Sequence, residues 1–509
     1  MTSVSGSEAR RGAFSNRTVF ILAAIGSAVG LGNIWRFPYV AYENGGGAFI
    51  IPYLVALLTA GLPFLLLDYA LGHKFRGSAP LSFARLRRGT EGIGWWQVAI
   101  CFMIAVYYAA VVAWAARYTI FSVDKAWGAD PESFLFGDFL QAGDPGVSMQ
   151  IVPGVLAPLL GVWAVVVLIM VLGVQRGIGT MSLLFMPLLL LAFGALVIQA
   201  LLLEGAASGL DALFTPNWAA LLEAGVWAAA FGQIFFSLSI GFGIMITYSS
   251  YLDRKADLTG SGMVVGFANS GFELLAGIGV FAALGFLAQA SATPVEDVVA
   301  SGLGLAFVVF PAIINVAPAG SLIGVLCFGS LVVAGLTSLV SVLEVVVSAV
   351  RDKFDMTRIG ASLVVGLPCA VISLIFFSTT SGVYVLDIVD HFVNQFGILV
   401  VAVVSMVVIA WVVRALPQLR AHLNRTGSLR LGTWWQVLVG TLTPLVLLFV
   451  LVQQLIEDLS QAYGGYPTWM IWVFGWGAAI GVLGAGFLLS MVPWSKRTPL
   501  QLESVEEAS

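Results

Sequence analysis

The hydrophobic residues of this chain lie in long runs that short polar segments separate. A helix needs about 20 apolar residues to cross the core of a bilayer. Runs of about that length or longer lie roughly at 18–41, 48–72, 93–124, 153–173, 178–203, 222–251, 261–290, 321–350, 359–378, 383–414, 433–459 and 468–492. We therefore predict an all-α polytopic membrane protein with twelve transmembrane helices, one for each run.

The charges between these runs predict the orientation. Basic segments follow the even-numbered runs, such as HKFRGSAPLSFARLRR after the second and Arg414 to Arg430 after the tenth. Segments after odd-numbered runs are acidic or neutral, such as DKAWGADPESFLFGDF after the third. Basic loops stay on the cytoplasmic side. We predict a multi-pass protein of the inner (plasma) membrane with both termini in the cytoplasm.

Composition supports the same class and gives no sign of catalysis. The chain is 59% hydrophobic and 10% charged, whereas soluble globular proteins carry about 25% charged residues. The cysteines stand inside apolar runs without the spacing of a disulfide framework or a metal site, at Cys101, Cys327 and Cys369. The histidines are equally scattered, at His73, His391 and His422. We predict no enzymatic activity and no nucleic-acid partner.

Two of the runs contain helix-breaking sequences. The first carries GSAVGLGN, and the sixth carries FFSLSIGFG, from Phe235 to Gly243. They are five runs apart, so they take matching positions in two five-helix halves of opposite topology. Broken helices at matching positions of such inverted repeats indicate a transport site near the midplane of the membrane. The alternative is that these glycines only allow close helix packing.

Polar and charged side chains occur at similar depth. Hydroxyls and amides stand in the first, sixth, seventh and eighth runs, at Asn33, Ser237, Ser239, Asn269, Thr337 and Ser338. Serine and threonine in apolar helices often bond to their own backbone instead of a ligand. A charge at the centre of a membrane helix costs about 2.5–3.5 kcal/mol on insertion scales. The charged residues Arg36, Glu273 and Asp390 therefore call for partners or a function.

Several long motifs resemble one known family. GSAVGLGNIWRFPYVAYENGGGAFIIPY resembles the first two spans of the neurotransmitter:sodium symporter family, and FGQIFFSLSIGFGIMITYSSY, AGLTSLVSVLE and LDIVDHFVNQFG resemble its sixth, eighth and tenth spans. The resemblance implies a LeuT-like 5+5 inverted repeat with helices 1 and 6 broken at mid-membrane, plus two extra C-terminal helices. The implied boundaries are 1–17 for the cytoplasmic N-terminal segment, 18–203 and 204–414 for the repeats, 415–492 for helices 11 and 12, and 493–509 for an acidic tail.

The resemblance also implies binding residues, position by position. The substrate would be held by Ala28, Gly30, Leu31, Gly32, Ile104, Tyr108, Phe236, Ser237, Ser239, Phe242, Ser338 and Val342. A first sodium ion would be held by Ala28, Asn33, Ser237 and Asn269, with the carboxylate of the substrate. A second sodium ion would be held by Gly26, Val29, Ala334, Thr337 and Ser338. Such oxygen ligands suit a hard cation.

Further roles follow from the same resemblance. The implied outer gate is Arg36 with Asp390, and the implied inner gate is Arg11 with Asp352. Local unwinding of helix 5 would lie between Gly177 and Pro187, although a proline kink explains the same pattern. Asp68 is expected to bond the unwound sixth helix. The tryptophan that the family has near its inner gate is Phe14 here.

Two positions narrow the expected substrate and ions. Monoamine members of the family have an aspartate where this chain has Gly30, so the substrate should bring its own carboxylate. Chloride-dependent members have a small polar residue where this chain has Glu273, so we expect transport to be independent of chloride. The two implied cation sites lead us to expect two Na⁺ ions. The expected function is symport of a neutral, hydrophobic α-amino acid by alternating access, in a monomer or weak dimer. A non-transporting amino-acid sensor on the same scaffold, or a proton replacing one sodium, stays open.

Overall fold

The computed structural model describes residues 13–299 and 302–501 and is almost entirely helical. Helix accounts for 81% of the structure, and no strand occurs within those two ranges. Apolar runs long enough to cross a bilayer form helices because every backbone donor and acceptor is then satisfied within the segment. The all-α polytopic prediction is confirmed.

The helices of the first half follow the predicted runs. They are α1 (Arg17–Ala28), α2 (Leu31–Glu43), α3 (Gly47–Phe75), α4 (Ala79–Leu86), α5 (Glu91–Phe121), α6 (Pro153–Gly173), α7 (Thr180–Leu201) and α8 (Ala206–Phe214). A π-helical turn, Val174–Gly179, connects α6 to α7. Two of these helices, α4 and α8, lie between predicted runs.

The helices of the second half continue in the same way. They are α9 (Ala224–Ser237), α10 (Ile244–Ser249), α11 (Leu258–Ser291), α12 (Gly302–Val316), α13 (Gly320–Phe354), α14 (Arg358–Phe377), α15 (Gly382–Val412), α16 (Leu416–Thr426), α17 (Thr433–Gly465) and α18 (Thr468–Met491). Helices α12 and α16 also lie between predicted runs, where the apolar pattern gave no expectation of a helix.

Length and composition identify nine candidate membrane spans in the described part of the chain, or up to ten with the bent pair α1 and α2. One candidate, Pro153–Leu201, has 49 residues, so it would measure about 74 Å at 1.5 Å per residue. That is more than twice the core of a bilayer, and Gly173 interrupts it with a φ of 88°. The sixth run is divided into α9 and α10, which are individually short. The count of twelve spans stays a prediction.

The two helix breaks have different physical causes. Helices α1 and α2 meet at 55°, and Gly30 between them has a φ of −115°, which is extended backbone. A Cβ at that position would lie 3.2 Å from the Tyr108 hydroxyl, so glycine leaves room there that any other residue would reduce. The second break, residues 238–243, has left-handed backbone at Ser239, Gly241 and Gly243, where glycine avoids a Cβ clash.

Burial shows which helices form the centre of the bundle. In the most apolar part of α5, 83% of the residues are buried inside the protein, whereas the corresponding share is 28% in α18. The large side chains Trp95 and Trp114 of α5 are almost completely buried. Helix α5 is therefore a central element with protein on all sides, and α18 is peripheral and presents most of its surface to lipid.

Small residues bring the half-helix α10 close to α3. A Cβ built on Gly72 would lie 1.9 Å from the carbonyl oxygen of Ile246 and 2.2 Å from the Ser249 hydroxyl. Small residues allow such backbone contact between membrane helices. Gly72 therefore determines how closely α10, the second half of the broken sixth span, sits against the bundle.

Replacing Gly72 with alanine tests this contact. We expect G72A to lower the melting temperature of the detergent-purified protein, because overpacking costs about 1–3 kcal/mol. Gly271→Ala in α11 is the matched control, since nothing lies within 4 Å of a Cβ at Gly271. Differential scanning fluorimetry compares them, and equal melting temperatures for the two variants would contradict the packing role of Gly72.

Candidate functional site

A cavity of about 240 Å³ lies where the two helix breaks meet. Every residue predicted to bind substrate lines it: Ala28, Gly30, Leu31, Gly32, Ile104, Tyr108, Phe236, Ser237, Ser239, Phe242, Ser338 and Val342. The structure thus brings together residues from four predicted runs that are far apart in the chain. Their roles as ligands stay predictions.

The two broken helices contact each other directly. The Ser239 hydroxyl in the second break donates a hydrogen bond to the carbonyl oxygen of Ser27, at 2.9 Å. Ser27 lies in the last turn of α1, where carbonyls lack partners within the helix. A side chain of the second break therefore bonds a carbonyl that the first break leaves without a partner in its helix. Residues of both breaks line the same cavity.

The N-terminal end of α2 faces the cavity and is surrounded by oxygen atoms. The amide of Leu31 lies 3.3 Å from the Tyr108 hydroxyl, and the amide of Gly30 donates to Oδ1 of Asn33 at 2.8 Å. A helix N-terminus carries a partial positive charge and leaves amides available. This end of the cavity can therefore bind a carboxylate between α2 and the Tyr108 hydroxyl.

Three of the predicted first-site sodium residues form one hydrogen-bonded chain. Nδ2 of Asn33 donates to Oδ1 of Asn269 at 3.0 Å, and Nδ2 of Asn269 donates to the Ser237 hydroxyl at 2.9 Å. The fourth, Ala28, lies on the wall of the cavity. Amide, hydroxyl and carbonyl oxygens from three spans are thus close enough to serve a small hard cation.

A buried carboxylate stands one helical turn beyond Asn269. Glu273 is fully buried, accepts a hydrogen bond from the Tyr53 hydroxyl and accepts another from Nε2 of Gln233 at 2.6 Å. Hydrogen bonds to a charged acceptor are stronger than those between neutral groups. The structure therefore provides a hydrogen-bonded carboxylate next to the chain of first-site residues.

The predicted second-site residues lie where α1 approaches α13. A Cβ built on Gly26 would lie 3.4 Å from Cβ of Thr337. The Thr337 hydroxyl donates to the carbonyl of Ala334 at 2.8 Å and also lies 3.2 Å from that of Val333. This is the bond to its own helix that the sequence allowed as an alternative. Sodium binding by these residues, including Val29 and Ser338, stays a prediction.

The predicted outer-gate residues line the cavity without pairing. The guanidinium of Arg36 lies over the ring of Phe236, 4.0 Å from its centroid, and Asp390 accepts a hydrogen bond from Asn394 at 2.7 Å. No ion pair within 4 Å joins Arg36 to Asp390 in the described part of the chain. A direct pair would require one of them to move.

The described residues include some, but not all, of the other predicted functional positions. Arg11 of the inner gate lies outside the described residues, whereas Asp352 accepts a hydrogen bond from the amide of Ser78 at 2.9 Å. Gly177 lies in the π turn before α7, and a Cβ there would come to 2.2 Å from the carbonyl oxygen of Ile169. Close packing thus explains Gly177 without unwinding, and the role of Gly177 and Pro187 stays a prediction.

Sequence reasoning missed several residues that line the cavity. Gln233 precedes Ser237 by one helical turn, and Asp387 and Asn394 flank Asp390 at helical spacing, so periodicity could have found them. The hydroxyls of Tyr463 and Tyr466 lie 3.3 and 2.9 Å from Asp387. The cavity also touches Gly302 and Leu303 at the start of α12, for which the sequence offers no signal.

Two residues with expectations from the sequence, Asp68 and Phe14, lie outside the cavity. The predicted bond from Asp68 to the unwound sixth helix is confirmed, since Oδ2 of Asp68 accepts from the amide of Gly241 at 3.3 Å. Phe14 packs edge-to-face against Tyr248 and Tyr251. An aromatic residue thus occupies the position where the family has tryptophan.

Comparison with known proteins agrees with this architecture. A family model described as the sodium:neurotransmitter symporter family matches residues 11–135 and 129–494. An uncharacterized sodium-dependent transporter of Methanocaldococcus jannaschii is 41% identical over 471 residues, which is 91% of this chain and 94% of that protein.

More distant relatives carry substrate names. The sodium- and chloride-dependent neutral and basic amino acid transporter B(0+) of Homo sapiens is 28% identical, covering 92% of this chain and 83% of its own length. The sodium-dependent dopamine transporter of Bos taurus is also 28% identical, covering 96% and 76% respectively. At equal identity, the two relatives are named for different substrate classes.

Substitutions at Asp68 test its support of the second break. Asp68→Asn keeps an acceptor for the amide of Gly241, whereas Asp68→Leu keeps volume but leaves that amide without a partner, at a cost of roughly 1–3 kcal/mol. We expect the leucine variant to show the lower melting temperature in fluorimetry and the asparagine variant to stay near wild type. If both variants melt alike, the hydrogen bond to Gly241 is not what Asp68 contributes.

Proposed function

Because the chain belongs to the sodium:neurotransmitter symporter family, we propose that it is a sodium-coupled symporter of a neutral α-amino acid with a hydrophobic side chain. Alternating access exposes the cavity first to one side of the membrane and then to the other. Orientation follows the basic loops, with both termini in the cytoplasm and the protein in the plasma membrane. The transporter acts as a monomer or weak dimer.

The observation that carries this proposal is the neutral, amide-lined end of the cavity at Gly30. The amide of Leu31 and the Tyr108 hydroxyl meet there, and the first turn of α2 contributes no acidic side chain. An amine without a carboxylate would find no counter-charge at this end, whereas an α-carboxylate would meet the positive end of a helix. A monoamine substrate is therefore disfavoured.

The other end of the substrate site receives the side chain. Ile104, Phe236, Phe242 and Val342 line it. The Ser338 hydroxyl lies close to the amide-lined end, 3.5 Å from the position that a Cβ on Gly30 would take. The charged residues of the cavity are Arg36, whose guanidinium lies over the ring of Phe236, and Asp387 and Asp390 of α15. Burial of an apolar side chain gains about 25 cal/mol per Å², which favours hydrophobic amino acids.

Coupling to sodium follows from a shared ligand. In the proposed first site, the carboxylate of the substrate joins Asn33, Ser237 and Asn269 around the ion. Each ligand then raises the affinity of the other by the same factor. A second ion sits between α1 and α13. Each elementary charge that crosses the membrane adds about 2.3 kcal/mol per 100 mV of membrane potential.

The buried carboxylate of Glu273 supports chloride independence. It supplies a fixed negative charge beside the first sodium site, where a transporter without such a residue would need an anion. Because Tyr53 and Gln233 each donate a hydrogen bond to this carboxylate, the carboxylate takes the place that a bound anion would otherwise fill beside them.

Uptake into proteoliposomes tests the proposed function. We expect an inward sodium gradient to drive accumulation of one or more radiolabelled neutral amino acids, and dopamine to be excluded. Binding without accumulation would support a sensor instead, and a response to none of the amino acids would contradict the interpretation of Gly30.

Two variants at Gly30 make that test specific. Gly30→Ala adds a methyl group 3.2 Å from the Tyr108 hydroxyl, and Gly30→Asp adds a negative charge at the same place. We expect the aspartate variant to lose uptake by roughly tenfold or more beyond the alanine variant, as about 1.4 kcal/mol of charge repulsion would cause. Equal losses would show that size alone matters.

Substitution of Glu273 tests chloride independence. We expect wild-type uptake to be unchanged when gluconate replaces chloride, and Glu273→Ser to transport only with chloride, because serine frees space and the donors of Tyr53 and Gln233 for the anion. Glu273→Gln fills that space, so chloride should not rescue it. Wild-type uptake that requires chloride would refute the role of Glu273.

A further inference from the structure

The unwound segment of the sixth span, residues 238–243, is held by three different spans. Ser239 donates to a carbonyl of α1, and the amide of Gly241 donates to a carboxylate of α3. The third contact comes from α5, where Sγ of Cys101 lies 3.1 Å from the carbonyl oxygen of Phe242. Cys101 is fully buried and does not line the cavity.

Cys101 belongs to a stripe of residues along one face of α5. Gln97, Cys101, Ile104 and Tyr108 follow one another at spacings of four, three and four, which places them on the same side of a helix. Ile104 and Tyr108 line the cavity. The stripe therefore continues from the substrate site to residues that lie behind the unwound segment.

Gln97 reaches the same segment one turn further along. It is completely buried, and neither its amide nitrogen nor its amide oxygen has a hydrogen-bond partner among the described residues. Its oxygen lies 3.3 Å from the position that a Cβ on Gly243 would take. Leaving a buried amide unpaired is costly, and buried polar groups of this kind commonly bind an internal water molecule.

Phe242 lies between two flexible positions. Gly241 and Gly243 have φ values of 88° and 89°, so the backbone on either side of Phe242 adopts a conformation that glycine tolerates best. The ring of Phe242 lines the cavity, and its carbonyl points to Cys101. A contact that fixes this carbonyl therefore also limits where the ring can lie.

We infer that Cys101 and Gln97 position the unwound sixth span, so that α5 sets the space available to the substrate side chain. Cys101 fixes the carbonyl of Phe242, and the Gln97 side chain occupies the space beside Gly243 and so limits where that backbone can move. Both are positioning residues, since neither touches the cavity. The inference rests on the proposed function, because it assigns a selectivity element to that same site.

The chain offers a matched control for the thiol. Cys369 in α14 is as buried as Cys101, and no hydrogen bond of its thiol occurs among the described residues. If the thiol of Cys101 only fills space, as buried cysteines commonly do, alanine at either position should have the same small effect. If it fixes Phe242, only the change at Cys101 should alter transport.

Uptake kinetics of Cys101→Ala, Cys101→Ser and Cys369→Ala test the inference. We expect Cys101→Ala to raise KM for the preferred amino acid by roughly two- to tenfold, the effect of losing one hydrogen bond, with a smaller change in kcat. Its KM ratio between a smaller and a larger substrate should also shift. Cys101→Ser keeps a donor and should retain the wild-type ratio, and Cys369→Ala should match wild type.

A second variant keeps the test decisive if Cys101→Ala folds poorly. Gln97→Leu keeps the volume of the side chain and removes its amide, and we expect it to shift the same KM ratio. Wild-type ratios in both Cys101→Ala and Gln97→Leu would overturn the inference. Wild-type uptake is measured in the same series, so a failure of the proposed function would appear there, separately from the comparison of variants.

Discussion

The structure depends on one constraint: polar backbone groups within a membrane must find partners inside the protein. A helix satisfies them automatically, so interrupting two helices at membrane depth exposes donors and acceptors that other spans must bond. Here the second break receives its partners from three neighbours, through Ser239, Gly241 and Phe242. The site is therefore built of groups that the breaks expose and the surrounding spans hold in place.

The backbone groups that the two breaks expose fall into two sets, one bonded to neighbouring spans and one facing the cavity. Part of the exposed backbone is bonded to α3 and α5 and is structural. The rest, at the start of α2 and on the wall formed by Ala28 and Ser237, faces the cavity. The second break thus has groups bonded to neighbouring spans, such as the amide of Gly241 on Asp68, beside residues that line the cavity, such as Ser239 and Phe242.

The sequence predicted the all-helical fold and the two breaks, because apolar run length and glycine clusters are local signals. The convergence of Ile104, Tyr108 and Ser338 on those breaks was implied by the family resemblance. The bond from Asp68 was also predictable from the resemblance. The close contact of Gly177 with Ile169 and that of Cys101 with Phe242 were not. The first depends on the local π-helical geometry after α6, and the second depends on how α5 packs against the sixth span. The hydrophobic periodicity of a single run predicts neither. The same holds for Gly302 and Leu303, which line the cavity from the start of α12.

Electrostatics links the support of the site to its proposed cycle. A buried carboxylate without a cation is costly, and removing one partner of a buried pair leaves that cost uncompensated. Glu273 keeps two hydrogen-bond donors, Tyr53 and Gln233, that do not depend on a bound ion. In the proposed cycle, those donors continue to bond the Glu273 carboxylate after sodium and substrate have left. A transporter must pass through an empty state in every cycle, and in the proposed cycle these two hydrogen bonds would stabilise the Glu273 carboxylate in that state.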